Sequence, residues 1–129
     1  MDEKKILSKD EILATEDLPR ETVFVKEWKG SVIVRGLSAS ERDEFESTTF
    51  TGEGKSRKFN YKNLRARLLS LTICNEAGDL IFSDADIEKL GKKNGKVMDN
   101  LFGIAQKLSG IGQTDLEDLL KNSKPDQPA

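Results

Sequence analysis

The chain has 129 residues, of which 36% are hydrophobic and 34% are charged, and its formal net charge is −2. A chain of this length is expected to form one domain and to bury about two thirds of its unfolded surface. It contains no histidine and only one cysteine, Cys74. Zinc sites and imidazole-dependent catalysis therefore lack their usual residues, and an internal disulfide is excluded.

The N-terminus and the hydropathy of the chain predict a soluble cytoplasmic protein. Residues 1–5 lack the apolar run of a secretion signal, and no stretch approaches the ~20 apolar residues of a membrane span. The near balance of charge argues against broad attraction to nucleic acid or to anionic membranes. We expect Cys74 to be buried as a small apolar side chain, which suits a reducing compartment.

The first 20 residues predict an extension that contains one short helix. Ser8 and Glu11 form a capping box, in which each residue satisfies a backbone amide of the other, so a helix is predicted over residues 8–15. The main domain is predicted to begin at residue 21.

A β-hairpin is predicted over residues 22–35. Two runs of β-branched and aromatic residues are separated there by Lys29-Gly30, and we predict that Gly30 adopts a positive φ in the turn. An isolated hairpin is marginal in water, so its edges must pack on helices or pair with another strand.

Further helices are predicted from capping residues and apolar periodicity. They run from Ser38 to about Thr49, over residues 61–73, from Ser83 to about Leu90, over residues 96–109, and from Thr114 onward. Residues 51–58 lack apolar periodicity and are predicted to form a flexible loop. The sequence thus predicts a predominantly α-helical α+β fold with five to six short helices and a small hairpin, in one domain over residues 21–122. Residues 123–129 are predicted to be a disordered tail.

Two patterns resemble ligand sites but do not meet the requirements of those sites. Residues 49–56 end like a phosphate-binding loop, but Thr49 stands where the first glycine is required and an acidic helix comes before it. Counted from Asp84, the sixth and twelfth positions of a calcium-binding loop are Lys89 and Gly95 instead of glycine and glutamate. We therefore predict no catalytic, cofactor-binding or metal-binding residues.

Two stretches are candidates for partner binding. Residues 55–67, here called the basic segment, carry six cations interleaved with Phe59 and Tyr61. They could contact phosphates while the aromatic rings stack on bases, or form a solvated face that pairs with the acidic helix after Ser38, or bind a protein. The last predicted helix carries leucines at i, i+3 and i+4, and it either completes the core or docks into another molecule. The candidate contact residues are Lys58, Lys62, Arg65, Leu116, Leu119 and Leu120.

Several short motifs occur in a fixed order between residues 23 and 122. They are Trp28-Lys29-Gly30, Arg35-Gly36-Leu37-Ser38-Ala39 with Glu41-Arg42-Asp43 and Phe45-Glu46, Arg65-Ala66-Arg67-Leu68-Leu69, Phe82-Ser83-Asp84 and Leu108-Ser109-Gly110. Their order and spacing resemble those of the tail assembly chaperones of long-tailed, siphovirus-type bacteriophages and prophages.

This resemblance implies an α-rich fold and a non-enzymatic function. The chain would bind the tape measure protein and keep it soluble while the tail tube assembles. The resemblance also implies self-association into homo-oligomers, the tail tube protein as a further candidate partner, and a place in the host cytoplasm but not in the mature virion. The residues themselves leave two alternatives, a small nucleic-acid-binding regulator that uses the basic segment and a structural tail protein.

Overall fold

The computed structural model describes residues 5–111 of the chain. The helices are α1 Lys9–Ala14, α2 Ala39–Thr49, α3 Leu64–Ser70, α4 Ile87–Leu90 and α5 Gly95–Leu108, and the strands are β1 Arg20–Val25, β2 Gly30–Arg35, β3 Phe50–Thr51, β4 Lys58–Phe59 and β5 Ile73–Cys74. This architecture confirms the predicted α+β class. The helix predicted from Thr114, its three leucines and the tail over residues 123–129 lie outside the described residues.

The hairpin is part of a three-stranded antiparallel sheet with the order β1-β2-β5. Arg20 lies opposite Arg35 at one end of the hairpin, and Val25 lies opposite Gly30 at the other. The second edge of β2 pairs with β5, where Ile33 faces Cys74. One edge of the hairpin is therefore satisfied within the chain, while the outer edge of β1 pairs with no strand among the described residues.

The prediction that Gly30 adopts a positive φ is wrong. The positive value belongs to Lys29, at 56°, because a turn of 3-10 helix over Lys26–Trp28 precedes it. The Lys29 amide donates to the Lys26 carbonyl oxygen at 3.1 Å and closes this turn. The 3-10 turn moves the left-handed position one residue earlier, and Gly30 becomes the first residue of β2.

The helix predicted over residues 61–73 is shorter in the structure. Asn63 has a φ of 52°, so the helix cannot start before Leu64. At the other end the chain leaves the helix after Ser70, and Ile73 becomes a strand residue because it pairs with β2. The Arg35 amide also donates to the Thr72 carbonyl oxygen at 2.8 Å. Tertiary pairing therefore decides the conformation of an apolar run whose spacing fits both a helix and a strand.

The loop predicted over residues 51–58 is instead part of a second, small hairpin. Strands β3 and β4 pair antiparallel with Phe50 opposite Phe59, and a 3-10 turn over Gly54–Ser56 joins them. Gly52 has a φ of 83°, and a Cβ there would collide with the Ser56 carbonyl oxygen. Sequence periodicity misses this hairpin because each strand has only two residues.

The core lies between one face of the three-stranded sheet and the helices α3 and α5. Its largest fully buried apolar side chains are Val34, Leu68, Leu69, Ile73 and Leu101. The apolar face predicted for α5 is confirmed, since five of its residues are buried: Val97, Met98, Leu101, Phe102 and Ala105. The predicted burial of Cys74 is confirmed as well.

Candidate partner-binding surfaces

The cations predicted to contact a partner do not all lie free on one face. Lys58 is exposed in β4. Lys62 Nζ lies 3.8 Å from a carboxylate oxygen of Glu88, and Arg65 Nε lies 3.1 Å from one of Asp99. Both acidic partners belong to the α4–α5 side of the molecule. The predicted pairing of the basic segment with acidic residues of α2 is not found among the described residues.

Arg67, although part of the basic segment, is a buried structural residue that exposes only 9% of its surface. Its guanidinium donates to the Lys62 and Asn60 carbonyl oxygens at 3.0 and 2.6 Å, and to the Thr48 and Thr49 hydroxyls at 3.0 Å each. Burial lowers the pKa of this group. The arginine therefore connects α2, α3 and the chain after β4, and it does not belong to any outward-facing cationic surface.

The aromatic residues of the basic segment are engaged with one another. The ring centroid of Phe59 lies 5.3 Å from that of Phe50 and 4.3 Å from that of Tyr61. The Arg57 guanidinium lies 4.7 Å from the centre of the Phe50 ring. Stacking of bases on Phe59 would have to displace these contacts, so the structure gives the nucleic-acid alternative little support.

An ion pair at one end of the sheet was not predicted. Arg35 Nη1 and Nη2 donate to the two carboxylate oxygens of Glu41 at 2.7 Å each, and Nε donates to the Gly78 carbonyl oxygen at 3.1 Å. The Ser38 amide donates to the same carboxylate at 2.9 Å. The sequence does not indicate this pair, because no periodicity signals a contact between a strand end and the next helix.

The pKa values of this pair shift in directions that favour both charges. The hydrogen bonds from Arg35 lower the pKa of the Glu41 carboxyl, although burial opposes that change. The same contacts raise the pKa of Arg35. Bidentate geometry and nearly complete burial of the guanidinium make this a strong charge-assisted contact.

The C-terminal end of α5 contacts the chain next to the Arg35–Glu41 pair. The Leu37 amide donates to the Ser109 hydroxyl at 3.0 Å, and the Gly36 amide donates to the Pro19 carbonyl oxygen at 2.9 Å. A Cβ on Gly36 would lie 2.6 Å from the Leu108 carbonyl oxygen. Two motifs that are far apart in sequence thus meet at one point, which we call the arginine junction (Arg35, Gly36, Glu41, Leu108 and Ser109).

The opposite end of the sheet has two depressions that are open to solvent. One depression, which we call the tryptophan groove, has a volume of about 310 Å³. It is lined by Trp28, Phe82, Asp86, Lys89, Leu90 and Lys93. Trp28, Phe82 and Leu90 form its apolar part, and the two lysines add positive charge at its rim.

A second depression lies on the other side of the hairpin turn and has a volume of about 190 Å³. This phenylalanine groove is lined by Phe24, Val25, Glu27, Lys96, Val97, Asn100 and Leu101. Phe24 is 68% exposed although it lies in a strand between the half-buried Val23 and the buried Val25. An exposed aromatic ring on an edge strand is a typical anchor for a protein partner.

The N-terminal helix exposes a further apolar surface. The predicted capping box is confirmed, since the Glu11 amide donates to the Ser8 hydroxyl and the Ser8 amide to the Glu11 carboxylate. However, α1 contains no buried residue, and Ile12 and Leu13 are 56% and 75% exposed. Ile6 and Leu7, directly before it, are exposed as well.

Residues 5–111 contain neither a metal-binding cluster nor a membrane-spanning helix. Within that range, no cluster of cysteine, aspartate or glutamate side chains could hold a metal ion. No described helix is long and apolar enough to cross a membrane. The surfaces that stand out are therefore the two grooves and the apolar face of α1.

Comparisons with known proteins agree with the resemblance seen in the motifs. A family model described as phage tail assembly chaperone matches residues 9–122. Among solved structures, the chain is similar to the tail assembly chaperone of bacteriophage HK97, with 19% sequence identity and a TM-score of 0.53. That similarity covers 70% of this chain and 85% of the other, and it concerns the fold. No curated protein matches the chain.

Proposed function

The chain belongs to the phage tail assembly chaperone family, and from this premise we propose that it binds the tape measure protein and keeps it soluble while the tail tube assembles. It performs no catalysis, self-associates into homo-oligomers, and acts in the host cytoplasm without entering the mature virion. The tail tube protein is a further candidate partner. The observation that best supports binding is the exposed Phe24 beside an apolar groove.

The phenylalanine groove suits an amphipathic helix, which a long helical partner would present many times. Such a helix docks through apolar side chains at i, i+3 or i+4, and i+7. Val97 and Leu101, one helical turn apart on α5, line the groove beside Phe24. Glu27 and Lys96 supply charges of both signs at its border, so polar flanks of either charge could be accommodated.

One of the candidate cations, Arg65, contacts α5 beside a residue that lines this groove. Asn100 lines the groove, and the adjacent Asp99 pairs with Arg65. Lys62 Nζ lies 3.8 Å from a carboxylate oxygen of Glu88, and the Lys62 side chain remains exposed. Lys58 is exposed as well. Exposed pairs of this kind contribute little to stability, so these cations are free to exchange partners with an acidic helix.

Co-expression with the tape measure protein tests the proposal. The wild-type chain is expected to raise the soluble yield of the tape measure protein and to be retained with it on affinity capture. Phe24→Ser should lower that capture by about tenfold, since an aromatic anchor contributes on the order of 1–2 kcal/mol. Ile81→Ser is the control, because Ile81 is also an exposed apolar residue but belongs neither to the two grooves nor to the basic segment.

The charged and C-terminal candidates need separate variants. Lys58→Glu, Lys62→Glu and Arg65→Glu combined should weaken capture more than the same three positions changed to Gln. A chain ending at Gly112 removes Leu116, Leu119 and Leu120 and should also capture less. Unchanged capture by the reversal and by the truncation, in folded protein, would remove these residues from the proposed surface.

Two further measurements separate the alternatives. Mass analysis of purified virions should not detect the chain, and its presence there would favour a structural tail protein. Binding to nucleic acid that weakens steeply with salt would favour the regulator. If this chain and the tape measure protein both express well and never associate, the chaperone proposal is contradicted.

A further inference from the structure

We propose that α1 of one copy docks into the tryptophan groove of a second copy, so that the chain assembles head to tail. The proposal rests on the self-association included in the proposed function, and it deepens that function by assigning the two surfaces in contact. Neither surface overlaps the phenylalanine groove.

The helix α1 needs a partner to account for its structure. It has six residues, whereas isolated helices shorter than about 12–15 residues are marginal in water. The capping box and the pair between Lys5 and Glu11, at 2.8 Å, satisfy its first turn, but they bury nothing. Leu7 and Ile12 occupy the two positions of a hydrophobic staple and therefore share one side of the helix start.

The tryptophan groove complements this helix in polarity and in charge. Trp28, Phe82 and Leu90 offer an apolar surface for Leu7, Ile12 and Leu13. The groove lining carries a net positive charge, because Lys89 and Lys93 outnumber Asp86, whose carboxylate accepts from the Ser83 amide at 2.9 Å.

The charges around α1 are mainly of the opposite sign. Lys5 is already paired with Glu11. Asp10, Glu16 and Asp17 then outnumber Lys9 among the remaining charged residues of the helix and of the chain that follows it. The segment therefore presents an acidic border to the two rim lysines of the groove.

The two surfaces lie at opposite ends of the molecule. Residues 15–18 border a depression together with Arg20 and Arg35, where β1 begins, whereas Trp28 follows the end of β1. The six residues of β1 span about 20 Å at ~3.3 Å per residue. While residues 15–18 keep this place, α1 cannot reach its own groove, and it reaches that of another copy. A contact between two different surfaces repeats from copy to copy and gives a ring or an open helical assembly.

Two double variants, one for each side of this contact, test the proposal without altering the core. Ile12→Ser with Leu13→Ser changes a helix that buries nothing, and Lys89→Glu with Lys93→Glu changes exposed groove-rim residues. Sedimentation of the wild-type chain should show mass that rises with concentration. Each double variant should stay monomeric at concentrations where the wild type associates, with an unchanged thermal midpoint.

A mixture of the two double variants is the decisive sample. The first retains the groove and the second retains α1, so they should form a 1:1 dimer and nothing larger, because each dimer contains only one competent contact. Trp28 is the only tryptophan, and its emission should shift to shorter wavelength on mixing. Wild-type mass retained by either variant, or no dimer on mixing, would overturn the proposal. An emission change in the wild type that does not depend on concentration would indicate docking within one copy and would also overturn it.

Capture of the tape measure protein by the same samples separates the two proposals. If the variants lose self-association but the tape measure protein is captured by none of the samples, the chaperone function fails while the head-to-tail contact stands. If capture persists and the variants keep the wild-type mass, the contact fails while the chaperone function stands.

Discussion

The two ends of the three-stranded sheet differ in how their side chains are satisfied. At the arginine junction, Arg35, Glu41, Gly36 and Ser109 contact one another or neighbouring backbone groups. At the hairpin turn, Phe24 and the two grooves present apolar surface to solvent. Substitutions at the first end should therefore change the free energy of unfolding, and substitutions at the second should change association.

The buried polar side chains of the described residues are all satisfied, which strengthens the contrast between the two ends of the sheet. Among residues 5–111, no buried side-chain nitrogen or oxygen lacks a hydrogen-bond partner. Within the described range, the two buried arginines are Arg35 of the arginine junction and Arg67. Loss of one partner at such a site leaves an uncompensated group in the interior, which costs more than loss of an exposed pair.

The largest effect is expected from Glu41→Gln. It breaks the bidentate pair and leaves the Arg35 guanidinium without its counter-charge, so the free energy of unfolding should fall by about 3–5 kcal/mol. Urea denaturation at neutral pH measures it. Glu46→Gln is the matched control, because Glu46 forms an exposed pair with Arg42 on the same helix and should change stability by less than about 0.5 kcal/mol. Equal effects would erase the distinction between the junction and an ordinary surface pair.

The next effect contrasts two arginines of the basic segment. Arg67→Gln should lower the free energy of unfolding by about 2–3 kcal/mol, because two carbonyl oxygens and the buried Thr49 hydroxyl lose a charged donor. Arg65→Gln loses only the exposed pair with Asp99 and should cost at most about 1 kcal/mol. Urea denaturation of both variants measures this difference. A larger loss of stability in Arg65→Gln than in Arg67→Gln would contradict the structural role of Arg67.

A third contrast uses two glycines. Gly36→Ala should lower the free energy of unfolding by about 1–3 kcal/mol, since its Cβ would collide with the Leu108 carbonyl oxygen where α5 ends. Gly103→Ala, within α5, meets nothing within 4 Å and should raise stability by about 0.5–1 kcal/mol through helix propensity. Thermal midpoints should thus move in opposite directions. A shift of the same sign in both variants would show that α5 does not contact Gly36 as described.

The smallest effect concerns pH. Arg35 lowers the pKa of Glu41 in the folded state, so the pair's contribution is fully present above the ordinary glutamate value. It is lost as the pH falls below that value and through the lowered folded pKa, at no more than about 1.4 kcal/mol per pH unit for one proton. The stability difference between wild type and Glu41→Gln should therefore shrink in acid. A difference that stays constant down to the acid transition would contradict the shift.

Local signals predicted those elements whose causes are local. The capping boxes at Ser8 and Ser38 need only residues three positions apart, and the apolar face of α5 needs only helical spacing. Ile73 was assigned to a helix because its partner strand lies about forty residues earlier, and such pairing leaves no local pattern.

The candidate site also contains residues that the sequence indicates and residues that only the fold reveals. A local cluster of cations identified Lys58, Lys62 and Arg65, but burial decides that Arg67 is structural, and burial depends on the whole fold. The Arg35–Glu41 pair and the two grooves arise where distant segments meet, so the sequence alone could not indicate them.

Hydrogen exchange of the chain, alone and bound to the tape measure protein, tests the central contrast most directly. We predict that binding protects the backbone amides around Phe24 and those at the start of α5, while the amides of residues 35–41 exchange at unchanged rates. Protection confined to residues 35–41, with none around Phe24, would contradict the account.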